Sequence, residues 1–244
     1  SCANAHDDVW FNTAANWGGG AGEIDPGDTA RLCGTFTFTA GTRGLIVKGS
    51  GASGNPIRIV FETGAVLQSP YFMGYNLGGA CPGAGQCGGA INVEGFSYLI
   101  IDGGTNGIIQ NTANGTNLAN QQPSIGIYLA GDGLIVRNLT IRNLYINAGS
   151  DPGATDAAGY NSSAVIVSNG TTVAVCNNTF YAASILLNSG TSGTVSKPTP
   201  TCQSNTFTAG VFYFNNTLSD SHWHYHLGGT GIQSVYANDI TDWN

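Results

Sequence analysis

A chain of 244 residues is long enough for one sizeable domain and gives no ground for two. Only 9% of its residues are charged and the formal net charge is −7, so it lacks the basic footprint of a nucleic-acid binder and is repelled by anionic membrane surfaces. Its 41% hydrophobic content is ample for a core, and no apolar run approaches the roughly 20 residues that span a bilayer.

Residues 1–30 hold aromatics and turns (Val9-Trp10-Phe11, Asn16-Trp17, Gly18-Gly19-Gly20) without strand periodicity, and read as an N-terminal cap over the rest of a single domain, 31–244. Asp25-Pro26-Gly27-Asp28-Thr29 is a turn sequence. From Ala30 to Phe38 the residues alternate with period two, as a half-buried strand requires. The stretches 44–48 and 57–61 repeat that behaviour, separated by Gly, Ser, Asn and Pro clusters at 49–56 and 64–70. Residues 73–90 are Gly-rich and read as a lateral loop.

From residue 91 a repeat emerges. The stretch Leu134 to Ile141 returns at Val173 to Phe180 and again at Val211 to Leu218, with weaker copies at 99–105 and 235–240. Each copy is a short alternating run, then an Asn, then a Thr and another apolar residue. Successive copies lie 35, 39 and 38 residues apart, starting at 99, 134, 173 and 211. Short strands at such a period predict a solenoid whose units bury their apolar faces only against their neighbours. Alternation assigns Leu134, Val136, Val173, Val175, Val211 and Tyr213 to the core, with Ile141, Phe180 and Leu218 in a following column. Asn138, Asn177 and Asn215 are expected to form an amide ladder at a tight turn, where Asn tolerates unusual backbone angles and bonds groups that the bend strips from the sheet. Almost nothing reads as an amphipathic helix. The chain stops six residues past Asn238 without a closing segment, which predicts either a longer protein or a bare end used for stacking on another copy.

The Asp-Pro-Gly-Asp-Thr opening, the stacked Val-x-Val-x-Asn-x-Thr units and the Asn column resemble the pectate-lyase-like right-handed parallel β-helix superfamily over roughly residues 25–244. The resemblance implies an all-β right-handed parallel β-helix, secreted, and acting as a polysaccharide lyase, glycoside hydrolase or epimerase, or as an adhesin or spike-like structural protein. Fold alone does not choose among these. Its polygalacturonase pattern of Asn-Thr-Asp, Asp-Asp, Gly-His-Gly and Arg-Ile-Lys is missing here.

Six Cys without Cys-x-x-Cys spacing favour disulfides over a zinc knuckle and an extracellular compartment. Six Cys allow 15 pairings; local closure is the expected one, with Cys81–Cys87 across the Gly-rich loop, Cys176–Cys202 between adjacent turns and Cys2–Cys33 tying down the N-terminus. Ser1-Cys2-Ala3 reads as the start of a processed mature chain.

The one unusual chemical cluster runs from Asp220 through His222, Trp223, His224, Tyr225 and His226. On an extended strand Asp220 and the three His share one side, and side chains two apart sit about 7 Å from each other, so His222 and His224 can converge on one divalent ion, Ca or Zn, with a ligand from another coil. A catalytic or substrate-facing polar strip of Asp220, His222, His224 and His226, flanked by Trp223 and Tyr225, is the second reading, and a surface turn rich in aromatics the third. Arg137 and Arg142 offer positive charge to a substrate, while Asp102 and Arg137 occupy equivalent positions in successive units and are expected to form a structural ion pair. No Asp-Asp pair in the repeat region supplies the two carboxyl groups that glycoside hydrolysis needs. Sequons occur at Asn114, Asn138, Asn161, Asn169, Asn177 and Asn215, of which Asn114, Asn161 and Asn169 are expected in loops or turns and the ladder residues are expected to be buried. Tyr71, Phe72, Tyr75, Tyr160, Trp223 and Tyr225 read as exposed aromatics able to stack on sugar rings, against the commoner alternative that loop aromatics pack onto the solenoid. Two functions remain: a protein that binds or acts on polysaccharide along a lateral groove, and an extracellular filament or adhesin subunit assembling end to end.

Overall fold

The computed structural model describes residues 2, 5–74, 88–113, 124–144, 163–169, 173–181, 183–188, 206–207, 210–215, 222–228 and 231–232. Among these the protein is almost wholly β, with a four-residue helix, α1 (Asp8–Phe11), and a 3-10 turn at Ala14–Asn16. A first sheet holds β1 (Thr29–Leu32), β2 (Thr35–Thr37), β4 (Ile57–Phe61), β5 (Val66–Ser69), β7 (Leu99–Asn111), β9 (Leu134–Arg142), β11 (Val173–Cys176), β12 (Thr179–Tyr181) and β14 (Thr206–Phe207). A second sheet holds β3 (Leu45–Ile46), β6 (Ile91–Glu94), β8 (Ile125–Ala130), β10 (Ser163–Asn169), β13 (Ala183–Asn188), β15 (Gly210–Asn215), β16 (His222–Gly228) and β17 (Gly231–Ile232). Parallel neighbours need a crossover. Here the crossover visits the other sheet: β4 pairs in parallel with β7, and β6 of the second sheet lies between them in the chain.

The repeat read from the sequence is the register of the first sheet. Leu99 stands opposite Leu134, and Leu134 opposite Val173, so the 35- and 39-residue steps each advance the chain by one strand. Alternate residues point into a shared core: Ile57, Ile59, Leu99, Ile101, Leu134, Val136, Ile141, Val173 and Val175 from the first sheet, and Leu45, Ile91, Val93, Ile127, Leu129 and Val165 from the second. Each such aliphatic side chain contributes about 1.5–3 kcal/mol by leaving water.

The third step is different. Val211 lies on β15 in the second sheet, opposite Ser184, and does not follow Val173. Asn215 accordingly pairs with Asn188 rather than stacking on Asn177. Within the second sheet Phe212 and Phe214, not Val211 and Tyr213, continue the columns that begin at Ile91 and Val93. The same alternating apolar pattern suits a parallel strand in either sheet, so periodicity alone does not assign one. Leu218 lies outside the described residues.

On β6 and β8 the residues that alternate with the core are withdrawn from solvent as well: Tyr128 and Asn92 are 4% and 1% exposed. Phe72, expected outside, is fully buried, and its ring meets that of Phe38 at 5.9 Å. Beyond β15 the second sheet turns antiparallel, with β16 against β15 and β17 against β16.

At the opposite end Asn12, just after α1, takes the place of a neighbouring strand. Its amide donates to the Gly44 carbonyl at 2.9 Å and its Oδ1 accepts from the Ile46 N–H at 2.6 Å, both on or beside the edge strand β3. A covered edge resists pairing with other chains. Phe11, Trp17 and Ile24 join the core from this segment, the Trp17 indole donating to the Phe11 carbonyl at 2.7 Å. Cys2 and Cys33 are disulfide-bonded, as expected, tying this segment to the residue after β1. Cys176 is disulfide-bonded too; Cys81, Cys87 and Cys202 lie outside the described residues.

Candidate functional site

The first sheet presents an outer face built from the residues that alternate with its core. Register sets them in columns across the strands: Thr29, Arg58, Ile100, Ile135 and Ala174 in one, and Arg31, Val60, Asp102, Arg137 and Cys176 in the next. The sheet then bends, and two further columns follow, one of which is Thr37, Gln68, Gln110, Arg142 and Tyr181.

The bend is set by left-handed residues. Asn138 and Asn177 have φ of 57° and 54°, a region that Asn enters more readily than other side chains. Their amides form a ladder that starts from a carboxylate. The Asn177 amide donates to Asn138 Oδ1 at 2.6 Å, and the Asn138 amide donates to Asp102 Oδ1 at 2.9 Å. Asp102 thus holds the place given to a third Asn by the sequence. Asn177 is exposed and Asn138 half-buried, so the expected burial of this ladder is corrected as well. The adjacent Asn178 is buried, accepting from the Leu139 N–H and donating to the Val136 carbonyl. Asn138→Ala is expected to cost about 2–3 kcal/mol, from two lost amide bonds and the strained backbone, and Asn138→Gly less because the strain is absent; urea unfolding of the two variants checks this.

Asp102 also binds Arg137, Nε to Oδ2, at 2.7 Å, and accepts from the Gly104 N–H at 2.9 Å. Burial pushes its carboxyl up, but the Asn138 amide, the Gly104 N–H and the Arg137 guanidinium outweigh that and hold it below the ordinary value. The ion pair expected from the sequence is therefore present. To hold Asp102 there, β7 makes an excursion: four residues, Gly103 to Asn106, stand where β9 has Asn138 alone. Gly103 lies so close to β9 that a Cβ would come 2.0 Å from the Asn138 carbonyl oxygen.

Across the bend a second polar ladder runs over four strands. Gln68 donates to Thr37 at 3.1 Å, Gln110 to Gln68 at 3.0 Å, and Arg142, through Nε, to Gln110 at 2.7 Å. Arg137 and Arg142 each use Nε for these contacts, and among the described residues their outer guanidinium nitrogens make no other hydrogen bond or ion pair. Arg58 forms no ion pair among the described residues, and Arg31 pairs with Glu62 at 2.7 Å. Among the described residues the columns of the outer face gather four of the seven basic residues of the chain, Arg31, Arg58, Arg137 and Arg142, with Glu62 and Asp102 as their ion-pair partners and exposed Asp132 at the border. Sequence reading singled out Arg137 and Arg142 and missed Arg58 and Arg31, whose alternation with Ile57, Ile59 and Leu32 was the available signal.

The other expected site residues are placed by register alone or not at all. His222, His224 and His226 lie on β16 opposite Asn215, Tyr213 and Val211, while Trp223 and Tyr225 lie opposite Phe214 and Phe212, in the columns that begin with buried Val93 and Ile91. Asp220, Asn114 and Asn161 lie outside the described residues, and Asn169 ends β10 opposite Ala130. Among the described residues no three His, Cys, Asp or Glu are grouped to hold a metal. Glu94, at the end of β6, has its carboxyl raised by burial, with the charge of Arg43 pulling the other way. No family model, curated protein or solved structure matches the chain.

Proposed function

We propose that this chain is a secreted right-handed parallel β-helix of the pectate-lyase-like kind that binds an anionic polysaccharide along the outer face of its first sheet. The alternation of strands between two parallel sheets supports the coil, since a strand–crossover–parallel strand connection is right-handed in nearly all proteins. The Cys2–Cys33 disulfide supports an oxidising compartment. The observation that carries the binding reading is the charge of the face: among the described residues four arginines meet two ion-paired carboxylates, in a chain whose net charge is −7. Ile135, half-buried in the column beside Arg137, offers a small apolar patch to sugar rings, while Ile100 of the same column is buried. Both carboxylates are in ion pairs, which makes this face a binding surface rather than an acid–base pair for bond cleavage. Lateral binding is preferred to end-to-end stacking because the second sheet finishes, among the described residues, in an antiparallel pair and a two-residue strand, an ending that blunts an edge.

Polygalacturonate and alginate are expected to bind, and a neutral glucan to bind far less. Replacing Arg58 and Arg142 together by Gln is expected to weaken binding about tenfold at low salt and less at high salt, because exposed charges are screened. Titration calorimetry at two ionic strengths checks both points, and equal affinity for charged and neutral chains would sink the reading.

A further inference from the structure

The described part of the chain has five non-glycine residues with positive φ, and four are Asn. The fifth is Tyr98, at φ 58°. A bulky side chain in the left-handed region costs free energy, and such strain persists only where the surroundings over-determine it. Here they do. The Tyr98 N–H donates to the Asp132 carbonyl at 2.8 Å, and its own carbonyl accepts from the Ile57 N–H at 3.1 Å. Its ring lies against Gly133, where a Cβ would come 2.6 Å from Cδ1.

Despite this anchoring Tyr98 is 37% exposed, the one exposed Tyr, Phe or Trp among the residues whose burial is described. Tyr98 immediately precedes β7, two residues before Ile100 on the outer face, and so borders the column that holds Arg58, Ile100 and Ile135. The turn that holds it is polar: the Ser97 N–H donates to Ser50 Oγ at 3.0 Å, the Asp132 N–H to Ser97 Oγ at 3.1 Å, and Asp132 itself is exposed. Asn or Gly would satisfy this turn with less strain, so the turn alone gives no reason for an aromatic here.

We propose that Tyr98 is a stacking platform for one pyranose ring of the polysaccharide bound on the outer face, fixing where along the face the chain sits. The inference rests on the polysaccharide reading above. Gly133 backs the ring along its Cδ1–Cε1 side and the residue is 37% exposed, so the open part of the ring can meet the C–H face of a sugar while the phenol oxygen stays hydrated, an apolar body with a polar tip. Rigid backing matters, because a side chain already held in place loses little freedom on binding.

The test compares the parent with Tyr98→Asn, Tyr98→Phe and Arg142→Gln, using polygalacturonate in titration calorimetry at two salt concentrations, with thermal unfolding of each protein. Tyr98→Asn is expected to bind about tenfold more weakly with an unchanged salt dependence, to unfold no earlier than the parent, and to be rescued by Tyr98→Phe. Binding by Tyr98→Asn equal to the parent's, with Arg142→Gln weakened, overturns the platform and leaves the charged face standing. A Tyr98→Asn protein that unfolds well below the parent marks the ring as packing and also overturns it. A parent that binds no polyuronate removes the reading and the platform together.

Discussion

Gly103→Ala is expected to lower the unfolding midpoint by about 10 °C, the loss of about 3–4 kcal/mol in a domain of this size. A Cβ at this position falls 2.0 Å from the Asn138 carbonyl oxygen and 2.8 Å from the Leu139 Cα. Both are main-chain atoms, so no side-chain rotation relieves the contact. The strands would have to part at the point where Asp102, Arg137 and Asn138 meet, and three polar contacts would weaken with them. Thr105→Ala, in the same excursion but exposed, is the control and is expected to move the midpoint little. Thermal unfolding followed by circular dichroism decides it, and a Gly103→Ala protein within about 1 kcal/mol of the parent would show that β7 gives way cheaply.

The second large effect concerns Asp102. Its removal as Asp102→Ala leaves the Arg137 guanidinium, the Asn138 amide and the Gly104 N–H without their acceptor, at an expected cost of about 3 kcal/mol at neutral pH. The dependence on pH has a definite sign. Because the folded carboxyl is held below its ordinary value, its stabilisation is fully present above the unfolded carboxylate's range and drains away as the pH falls through the folded value. The gap in urea stability between the parent and Asp102→Asn should therefore be widest at pH 7 and close on acidification. A gap that stays constant down to pH 3 would mean that the charge on Asp102 does not matter to the fold.

Much of this architecture is legible in the residues, and its failures have a common cause. The steps from Leu99 to Leu134 to Val173 are true register pairs because each strand must repeat both its apolar columns and its turn residue to stack. The Asp102–Arg137 pair follows from the same bookkeeping. Asn215 fails because an Asn after an alternating run signals a strand end in either sheet, and it ends β15 instead. Asp102 in the ladder is invisible as an equivalent of Asn, although both offer an oxygen to the next amide. Arg58 and Arg31 carry no such signal, because their strands lack the Asn and lie outside the repeat. Phe72 shows the limit of composition: it lies beside a Gly-rich stretch yet fills the core, its N–H held by Asn111 and Ser124.

In both ladders of the outer face every hydrogen bond runs from a later residue to an earlier one: Gln68 to Thr37, Gln110 to Gln68, Arg142 to Gln110, Asn138 to Asp102 and Asn177 to Asn138. A nascent chain emerging from the ribosome therefore has its acceptors in place before the matching donors are made, and each new rung finds a template already waiting. Growth from the N-terminus is the cheap direction, because closing a loop onto an ordered edge avoids the simultaneous ordering of two distant segments.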